Sequence, residues 1–256
     1  MTSTFIPVGA LGDGFAHASR SLDVVDHLEG RAFALDLDGA DTLSIGRGVA
    51  SWGDAVDVPV RVTSIRPGIF LVGGIAGSVS TAFVLDLDAG LVTLVEGTLP
   101  DEATRAESAF TRVQRGDEAT GVAATLRHGR IDGSVAEPHA ATDDLVGLRN
   151  RYDYSTTEVY EHIYLTPTLY AWHCIEGVER GLADVDACHH VRIRDGLTLF
   201  VWREKIVPTL GLILIDLDAM RTDGSIFGNA GFDASTLVTF PVGATAEILT
   251  VTAHAR

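Results

Sequence analysis

Cysteine is scarce in this sequence: among 256 residues only Cys174 and Cys188 carry a thiol. Two cysteines cannot supply a framework of several disulfides, so a reducing compartment is expected. Long apolar runs are also missing, and none approaches the roughly 18 consecutive apolar residues of a membrane-spanning helix. Because the N-terminus lacks the basic stretch and apolar core of a secretion signal, we expect a cytoplasmic protein.

Positive charge is scarce as well, with 19 Lys and Arg residues against 35 Asp and Glu and a formal net charge of −16. Such a surface repels phosphate backbones and anionic lipid headgroups, so we expect no binding to nucleic acid or to a membrane surface. Lys205 is the only lysine and hence the only side chain that could form a Schiff base. Strand parity places it opposite Glu204, which disfavours that role.

The apolar residues that are present recur with a period of two rather than 3.6. Short apolar or alternating runs bounded by Gly, Asp or Pro occur at 33–37, 68–72, 83–87, 197–202 and 212–217. These runs are typical of strands and predict a mainly β protein. Helices are predicted only near 17–29, 101–115 and 141–149, and none of these has a long apolar stripe.

The two halves of the chain resemble each other. Trp52 corresponds to Trp172, the segment 65–68 to 193–196, and 83–88 to 212–218. Each half supplies roughly eight short strands, enough to close a barrel without open edges. The pattern predicts two tandem lipocalin-like (calycin) antiparallel β-barrels from an internal duplication. The first barrel spans 1–142, including a connector at 101–142, and is expected to be structural; the second spans 143–256.

Tyrosine is confined to the second half. All five tyrosines lie between 152 and 170, and both cysteines and four of the nine histidines lie between 152 and 202. Phe33, Leu35, Gly73 and Gly74 of the first half are aligned with Tyr152, Tyr154, Arg203 and Glu204 of the second. A buried polar group without a partner costs about 1–3 kcal/mol, and the first half shows that the barrel does not need such groups to fold. We therefore predict a small-molecule pocket in the second barrel.

Several segments of the second half resemble the phenolic acid decarboxylases, which are cofactor-free lipocalin-like barrels. The resemblance covers the Y-x-Y pair in 145–154 and continues through 160–164, 170–174 and 202–204. It implies that Tyr152 and Tyr154 hold a substrate carboxylate and that Glu204 transfers a proton. The decarboxylases have an Arg directly after the Tyr of the third strand, where this sequence has Ala171. Arg192 or Arg203 would have to replace it.

The whole chain is similar to the MoaF-type family, which is labelled as molybdenum-cofactor-biosynthesis protein F and is related to the same barrels. The segments that carry this resemblance are 145–165, 176–196 and 200–218, with a second copy upstream. The label does not establish an activity.

Together these observations predict a cofactor-independent enzyme that uses acid–base chemistry on a small aromatic or unsaturated carbonyl or carboxylate compound. Lyase, hydratase, isomerase or decarboxylase-like reactions fit. The expected catalytic residues are Glu204, Tyr152, Tyr154, His190 and His173. The expected substrate-binding residues are Tyr164, His162, Trp172, Trp202 and Arg192. The alternative is a non-catalytic lipocalin-like protein that binds a small ligand.

A metal site is a third interpretation, with ligands from His162, His173, His189, His190, Glu161 and Cys188. Adjacent histidines on a strand point to opposite faces and rarely chelate together, so we predict neither a metal nor an organic cofactor. The predicted partner is a small molecule, and a homo-oligomer is left open.

Overall fold

The computed structural model describes residues 4–37 and 42–253, which form two compact units. One unit contains 22–98 and 124–140, and the other contains the N-terminal segment up to Ser21 together with 99–123 and 141 onward. Two segments that the predicted boundary at 142 assigned to the first half, 4–21 and 99–123, thus belong to the unit of the second barrel.

Eight strands form the first closed barrel. They are β1 (Ala32–Asp36), β2 (Thr42–Ile45), β3 (Val49–Trp52), β4 (Ala55–Arg66), β5 (Ile69–Ala76), β6 (Val79–Asp86), β7 (Leu91–Thr98) and β8 (Ala123–Ile131). Each strand pairs with the next in sequence, and β1 pairs with β8 to close the barrel. The eighth strand lies inside the segment that was predicted to be a connector.

The second barrel repeats this arrangement. A two-residue strand, β9 (Ala140–Ala141), comes where the chain passes from one unit to the other. The barrel strands are β10 (Leu148–Asp153), β11 (Val159–Thr166), β12 (Leu169–Glu176), β13 (Ala183–Arg194), β14 (Leu197–Glu204), β15 (Thr209–Asp216), β16 (Arg221–Asn229) and β17 (Leu237–Val251). The pairing of β10 with β17 closes the barrel. The predicted fold class, mainly β with two tandem antiparallel barrels, is confirmed.

The same corner occurs once in each barrel, which supports the predicted internal similarity. Gly68 and Gly196 end the turns directly before β5 and β14, with φ angles of +76° and +69°. A Cβ at Gly68 would lie 2.5 Å from the Asp88 carboxylate, and one at Gly196 would lie 2.7 Å from that of Asp218. Both the left-handed backbone and the close carboxylate require glycine there.

This corner also corrects the sequence alignment of the two halves. Since β5 and β14 each have eight residues after the equivalent glycine, their last two residues correspond. Arg203 and Glu204 therefore align with Ile75 and Ala76, and the predicted alignment with Gly73 and Gly74 is wrong. The error is one pleat, so inward and outward faces were still matched correctly.

The helices lie outside the barrel walls. They are α1 (Val8–Ala16), α2 (Glu102–Ala106) and α3 (Ala109–Arg115). The prediction near 101–115 is confirmed, whereas those at 17–29 and 141–149 are wrong because these segments form turns, loops and short strands. None of the helices in the described ranges combines the length and hydropathy needed to cross a bilayer.

The unpredicted helix α1 packs against the second barrel through Val8, Leu11 and Phe15, which are buried. A Cβ at Gly9 would lie 2.5 Å from the carbonyl oxygen of Ala230, so the glycine allows the helix backbone to approach the barrel closely. The tertiary contacts outweigh the weak helical propensity of this glycine-rich stretch.

Candidate functional site

A cavity lies inside the second barrel, with about 360 Å³ of empty space when its mouth is included. Strands β10, β11, β12, β14 and β16 contribute to its wall, and α1 covers it. The lining residues are Leu11, Phe15, Tyr154, Tyr160, His162, Tyr170, Trp172, Glu179, Trp202, Glu204 and Ile226. Five of the predicted site residues are among them, namely Tyr154, His162, Trp172, Trp202 and Glu204, while Tyr152 and Tyr164 lie deeper in the barrel core.

The alternation of β12 explains which of its side chains reach the cavity. Tyr170, Trp172 and Cys174 are buried, and the residues between them are partly exposed. Trp202 and Glu204 at the end of β14 share one face in the same way. Strand parity thus explains why these side chains share one face.

Glu204 is the carboxyl group that the sequence placed at the centre of the site. The indole N–H of Trp202 donates a hydrogen bond of 2.9 Å to its Oε1. Burial raises the pKa of Glu204 well above its usual range, and the negative charges of Asp186 and Glu179 raise it further. Although part of the residue reaches solvent, its carboxyl lines an aromatic cavity that favours the protonated acid.

Glu179 is a second carboxyl group in the cavity, and the sequence analysis missed it. It lies in the loop between β12 and β13 and accepts a hydrogen bond of 3.3 Å from the Tyr160 hydroxyl. Burial raises the pKa of Glu179 to about 7, and the charge of Glu158 adds to the shift. Its loop has no strand periodicity, so no pattern in the sequence could have placed it on the inward side.

Asp186 forms the outer support of the same cavity. Its Oδ2 accepts a hydrogen bond of 2.9 Å from the indole N–H of Trp172. Its Oδ1 accepts the backbone N–H of Lys205 at 3.1 Å and lies 3.3 Å from the Lys205 Nζ. Burial raises the pKa of Asp186, against the opposing effects of Trp172 and Lys205. The lysine ammonium is thus held by aspartates and does not line the cavity.

Two tyrosine hydroxyls in the cavity make no hydrogen bond within the part of the chain that the structure describes. They belong to Tyr154 and Tyr170, which are 4% and 1% exposed. Burial is the main reason that the pKa of each phenol is raised, so both stay protonated. Both residues line the cavity, so a bound molecule can supply a hydrogen-bond partner to each hydroxyl.

The other members of the tyrosine cluster are satisfied by the protein itself. The Tyr152 hydroxyl accepts a hydrogen bond of 3.0 Å from Asn150 Nδ2 and lies 2.8 Å from the Tyr164 hydroxyl. Burial raises the pKa of Tyr152 to about 12. Tyr152 and Tyr164 are therefore placed to support the wall of the cavity rather than to line it, which differs from the roles predicted for them.

His162 lies among the aromatic rings at the inner end of the cavity. Its ring centroid is 4.8 Å from that of Tyr152 and 5.2 Å from that of Tyr170. Burial lowers the pKa of His162 to about 3, so its imidazole is neutral near pH 7.

His190 is inside the barrel but does not line the cavity. Its Nε2 lies 3.4 Å from the Cys188 Sγ, and its Nδ1 is buried without a hydrogen-bond partner among the described residues. Burial, and then the neighbouring His189, lower the pKa of His190 to about 4. Tyr164 and Phe200 pack against its ring, at centroid distances of 5.6 Å and 5.4 Å.

The structure does not bring two further predicted residues to the cavity. The His173 side chain is 46% exposed and lies 3.9 Å from Glu161 Oε2, because it follows the inward-facing Trp172 and points outward. Arg192 is exposed and donates to Asp144 at 2.6 Å. It was expected to bind substrate, and strict alternation would put it on the face of His190. Both His190 and Val191 are buried, however, so the alternation changes there.

Within residues 4–37 and 42–253, no arginine or lysine side chain lines the cavity. Ala171 occupies the position of the decarboxylase Arg, and Arg203 instead pairs with Glu118 and donates to the Val122 carbonyl at 3.3 Å. Neither Arg192 nor Arg203 replaces the missing group. A substrate carboxylate would thus lack the bidentate cation that the resemblance implied.

The candidate metal ligands are also dispersed. His173 faces outward, His162 faces the cavity, and His190 lies behind it. No group of three His, Cys, Asp or Glu side chains in the described ranges is arranged to hold a metal ion.

Comparison with known proteins shows which family the chain matches. Residues 3–101 match a family model described as the MoaF N-terminal domain, and residues 139–252 match one described as the MoaF C-terminal domain. The chain is 45% identical over 265 residues to a Klebsiella aerogenes protein named Protein MoaF, with 99% of each chain covered.

Among solved structures, the chain is similar to one from Burkholderia vietnamiensis described as a "putative beta-lactamase". The match has a TM-score of 0.36 and 10% sequence identity, and it covers 41% of this chain and 96% of the other. At that TM-score the likeness carries no argument about fold or activity.

Proposed function

The chain belongs to the MoaF family, and from that premise and the cavity's geometry we propose that its second barrel catalyses a proton transfer without an organic cofactor. The substrate is a small aromatic or unsaturated molecule, and the reaction is of the lyase, hydratase or isomerase type. Glu204 is the group that gives and receives the proton.

One observation carries this proposal: the Glu204 carboxyl faces an aromatic cavity, open at its mouth, together with two tyrosine hydroxyls that have no partner among the described residues. The first barrel has Ala76 at the equivalent strand position, so the shared fold does not need the carboxyl group. Groups that are costly for folding and converge on one space are typical of a binding or catalytic site.

The state of these groups suggests how they act. Glu204 is held as the protonated acid, so it can donate a proton to an unsaturated atom of the substrate and recover one from another atom. The Tyr154 and Tyr170 hydroxyls can donate hydrogen bonds to an oxygen that gains negative charge during the transfer. Tyr152, Tyr164 and Asn150 hold the wall in place. The absence of an arginine or lysine in the lining favours a carbonyl compound over a carboxylate.

Replacing Glu204 with Gln tests the proposal. We expect the wild-type protein to accelerate exchange of the α-protons of phenylacetaldehyde with deuterium from heavy water, and E204Q to lose about 100-fold of that rate or more. The amide keeps the side-chain volume and still accepts the Trp202 N–H, so the fold should persist.

The exposed Glu247 on β17 provides a matched control, since E247Q removes one negative charge outside the cavity. Circular dichroism confirms that both variants are folded. Exchange at the wild-type rate in E204Q would refute the role of Glu204.

A ligand-binding protein without catalysis is the second candidate. It is favoured by the neutral state of the cavity, where His162 is a weak base and Glu204 is protonated. In that case no carbonyl compound shows accelerated exchange, whereas E204Q and wild type differ in ligand affinity. The predictions of a small-molecule partner, and of no binding to nucleic acid or membranes, remain predictions.

A further inference from the structure

The cavity wall concentrates carboxyl groups without a matching cation. Glu204 and Glu179 line the space, and Asp186 lies directly behind the indole of Trp172. The only nearby ammonium, Lys205 Nζ, contacts Asp184 and Asp186 on the outer side. A negatively charged molecule in this space would be repelled by Glu204 and Glu179 unless both carboxyl groups stayed protonated. No basic side chain of the described residues would stabilise its charge.

Aromatic faces make up most of the remaining wall. The Tyr160 and Trp172 ring centroids are 6.4 Å apart, and those of Tyr170 and Trp202 are 6.3 Å apart. The faces of such rings carry negative electrostatic potential and attract a cation within about 6 Å of the centroid, with an energy that grows when water is excluded.

An unsatisfied group points to a ligand independently of the acids. The Tyr170 side chain is 1% exposed, lines the cavity and makes no hydrogen bond within the described residues. Its hydroxyl oxygen can accept a hydrogen bond from an N–H donor of a bound molecule. Glu204 and Asp186 are close enough to this phenol for their negative charges to raise its pKa. Carboxyl groups therefore surround the same space.

We propose that this cavity takes an organic cation, a protonated amine or quaternary ammonium group joined to a small planar ring. The inference rests on the proposed function and deepens it, because it names the substrate class of the same site. The ring stacks among the tryptophans, and the cationic group lies between the carboxyl groups of Glu204 and Glu179. The negative net charge of the protein also draws cations toward the cavity mouth.

Binding of a cation has a consequence for protons that a neutral ligand does not share. The positive charge favours the ionised form of Glu204, so the acid releases its proton when the complex forms. With such a substrate Glu204 therefore begins the transfer as the base, which takes a substrate proton and then returns it. The groups that face Glu204 and shape this equilibrium are Asp184, Asp186, Glu179, Tyr170 and Trp202. Titration in buffers of different ionisation enthalpy measures this release.

Three probes with one ring and different charges test the proposal: benzylammonium, benzyl alcohol and benzoate. Isothermal titration calorimetry of the full chain near neutral pH should give the order benzylammonium, then benzyl alcohol, then benzoate. The expected preference for the cation over the alcohol is about tenfold or more, as a desolvated cation–π contact with a carboxylate partner provides. Proton release should accompany only the cation.

Two variants place the effect in the cavity. E204Q and E179Q should each lower the ratio of cation to alcohol affinity while leaving the alcohol bound, and E247Q should leave the ratio unchanged. Benzoate binding as tightly as benzylammonium would overturn the inference, as would a ratio that is equal in E204Q and E247Q. Failure of all three probes to bind at millimolar concentration would overturn it too.

The outcome is separable from that of the proposed function. Cation selectivity without deuterium exchange would remove the catalytic proposal and leave this inference standing. Exchange that depends on Glu204 without cation selectivity would do the reverse.

Discussion

The two barrels share one arrangement of strands, but side chains of different kinds fill their interiors. In the first barrel, the interior cluster is apolar and includes Phe33, Trp52 and Phe83. In the second, the corresponding space contains tyrosines, tryptophans and buried His162, beside the carboxyl of Glu204. The first barrel shows that the fold closes without tyrosine and without a carboxyl group at the position of Glu204, so these groups of the second barrel are additions whose physical cost calls for a function.

Elements outside the eight strands complete the cavity of the second barrel. Leu11 and Phe15 of α1 cover the cavity of the second barrel, and the loop with Glu179 adds a carboxyl group from the side. These elements lie outside the eight strands that the two barrels share. The strands thus supply most of the cavity wall, and α1 and this loop complete it.

The largest expected effect is a loss of stability that both barrels share. Phe83→Ala and Phe200→Ala should each lower the free energy of unfolding by about 3–5 kcal/mol, because both rings are fully buried. Urea unfolding measures the loss, with the exposed Phe110→Ala as the control. Only Phe200→Ala should also weaken ligand binding, since its ring lies 4.9 Å from that of Tyr170. Weaker binding in Phe83→Ala would contradict the separation of roles.

The next effect is a pH dependence of stability that comes from a carboxyl group of the second barrel. The pKa of Glu179 is raised from 4.5 to about 7 by folding, so the folded protein holds that proton more tightly than the unfolded chain. Its contribution to stability is therefore lost as pH rises from about 4.5 through about 7. Relative to wild type, E179Q should gain stability across this window, on the order of 3 kcal/mol at most.

Urea unfolding of wild type and E179Q at several pH values checks this prediction. Taking the difference between the two proteins cancels the opposite acid-side effect of His162 and His190, whose pKa values are lowered. A difference that stays constant over the window would show that Glu179 has an ordinary pKa.

The smallest expected effect is a difference in stability between variants of two tyrosines in the second barrel. Tyr152→Phe should cost about 1 kcal/mol of stability, because it removes the hydrogen bonds with Asn150 and Tyr164. Tyr170→Phe removes a hydroxyl without a partner among the described residues and should leave stability nearly unchanged. The latter variant should instead weaken binding of benzylammonium. Thermal unfolding and calorimetry separate the two outcomes, and equal destabilisation by both would contradict them.

Strand alternation explains which parts of the site could be predicted from the sequence. It indicates that Trp202 shares a face with Glu204, and Tyr170 with Trp172, because alternation is a local property of an extended backbone. The same rule placed Lys205 away from Glu204, as the structure shows. Alternation also explains why His173, which was predicted to be catalytic, does not reach the cavity. It follows the inward-facing Trp172 and therefore points outward.

The sequence did not predict the positions of residues whose place is not determined by a local pattern. Arg192 lies where the alternation of β13 changes, so parity misplaced it. Glu179 lies in a loop, and α1 lies in a glycine-rich segment whose helix depends on packing against the barrel. Each of these positions is decided by contacts between residues that are distant along the chain.

The sequence by itself determined the class of fold, the two tandem barrels and the half of the chain that concentrates polar aromatics, because pleat and repeat are written in local alternation and composition. Only the tertiary structure decided which inward residues meet the cavity, that Tyr152 and Tyr164 support its wall, and that Glu179 joins Glu204. Enclosure, desolvation and the resulting protonation states arise when distant segments close around a space, and no local pattern encodes that closure.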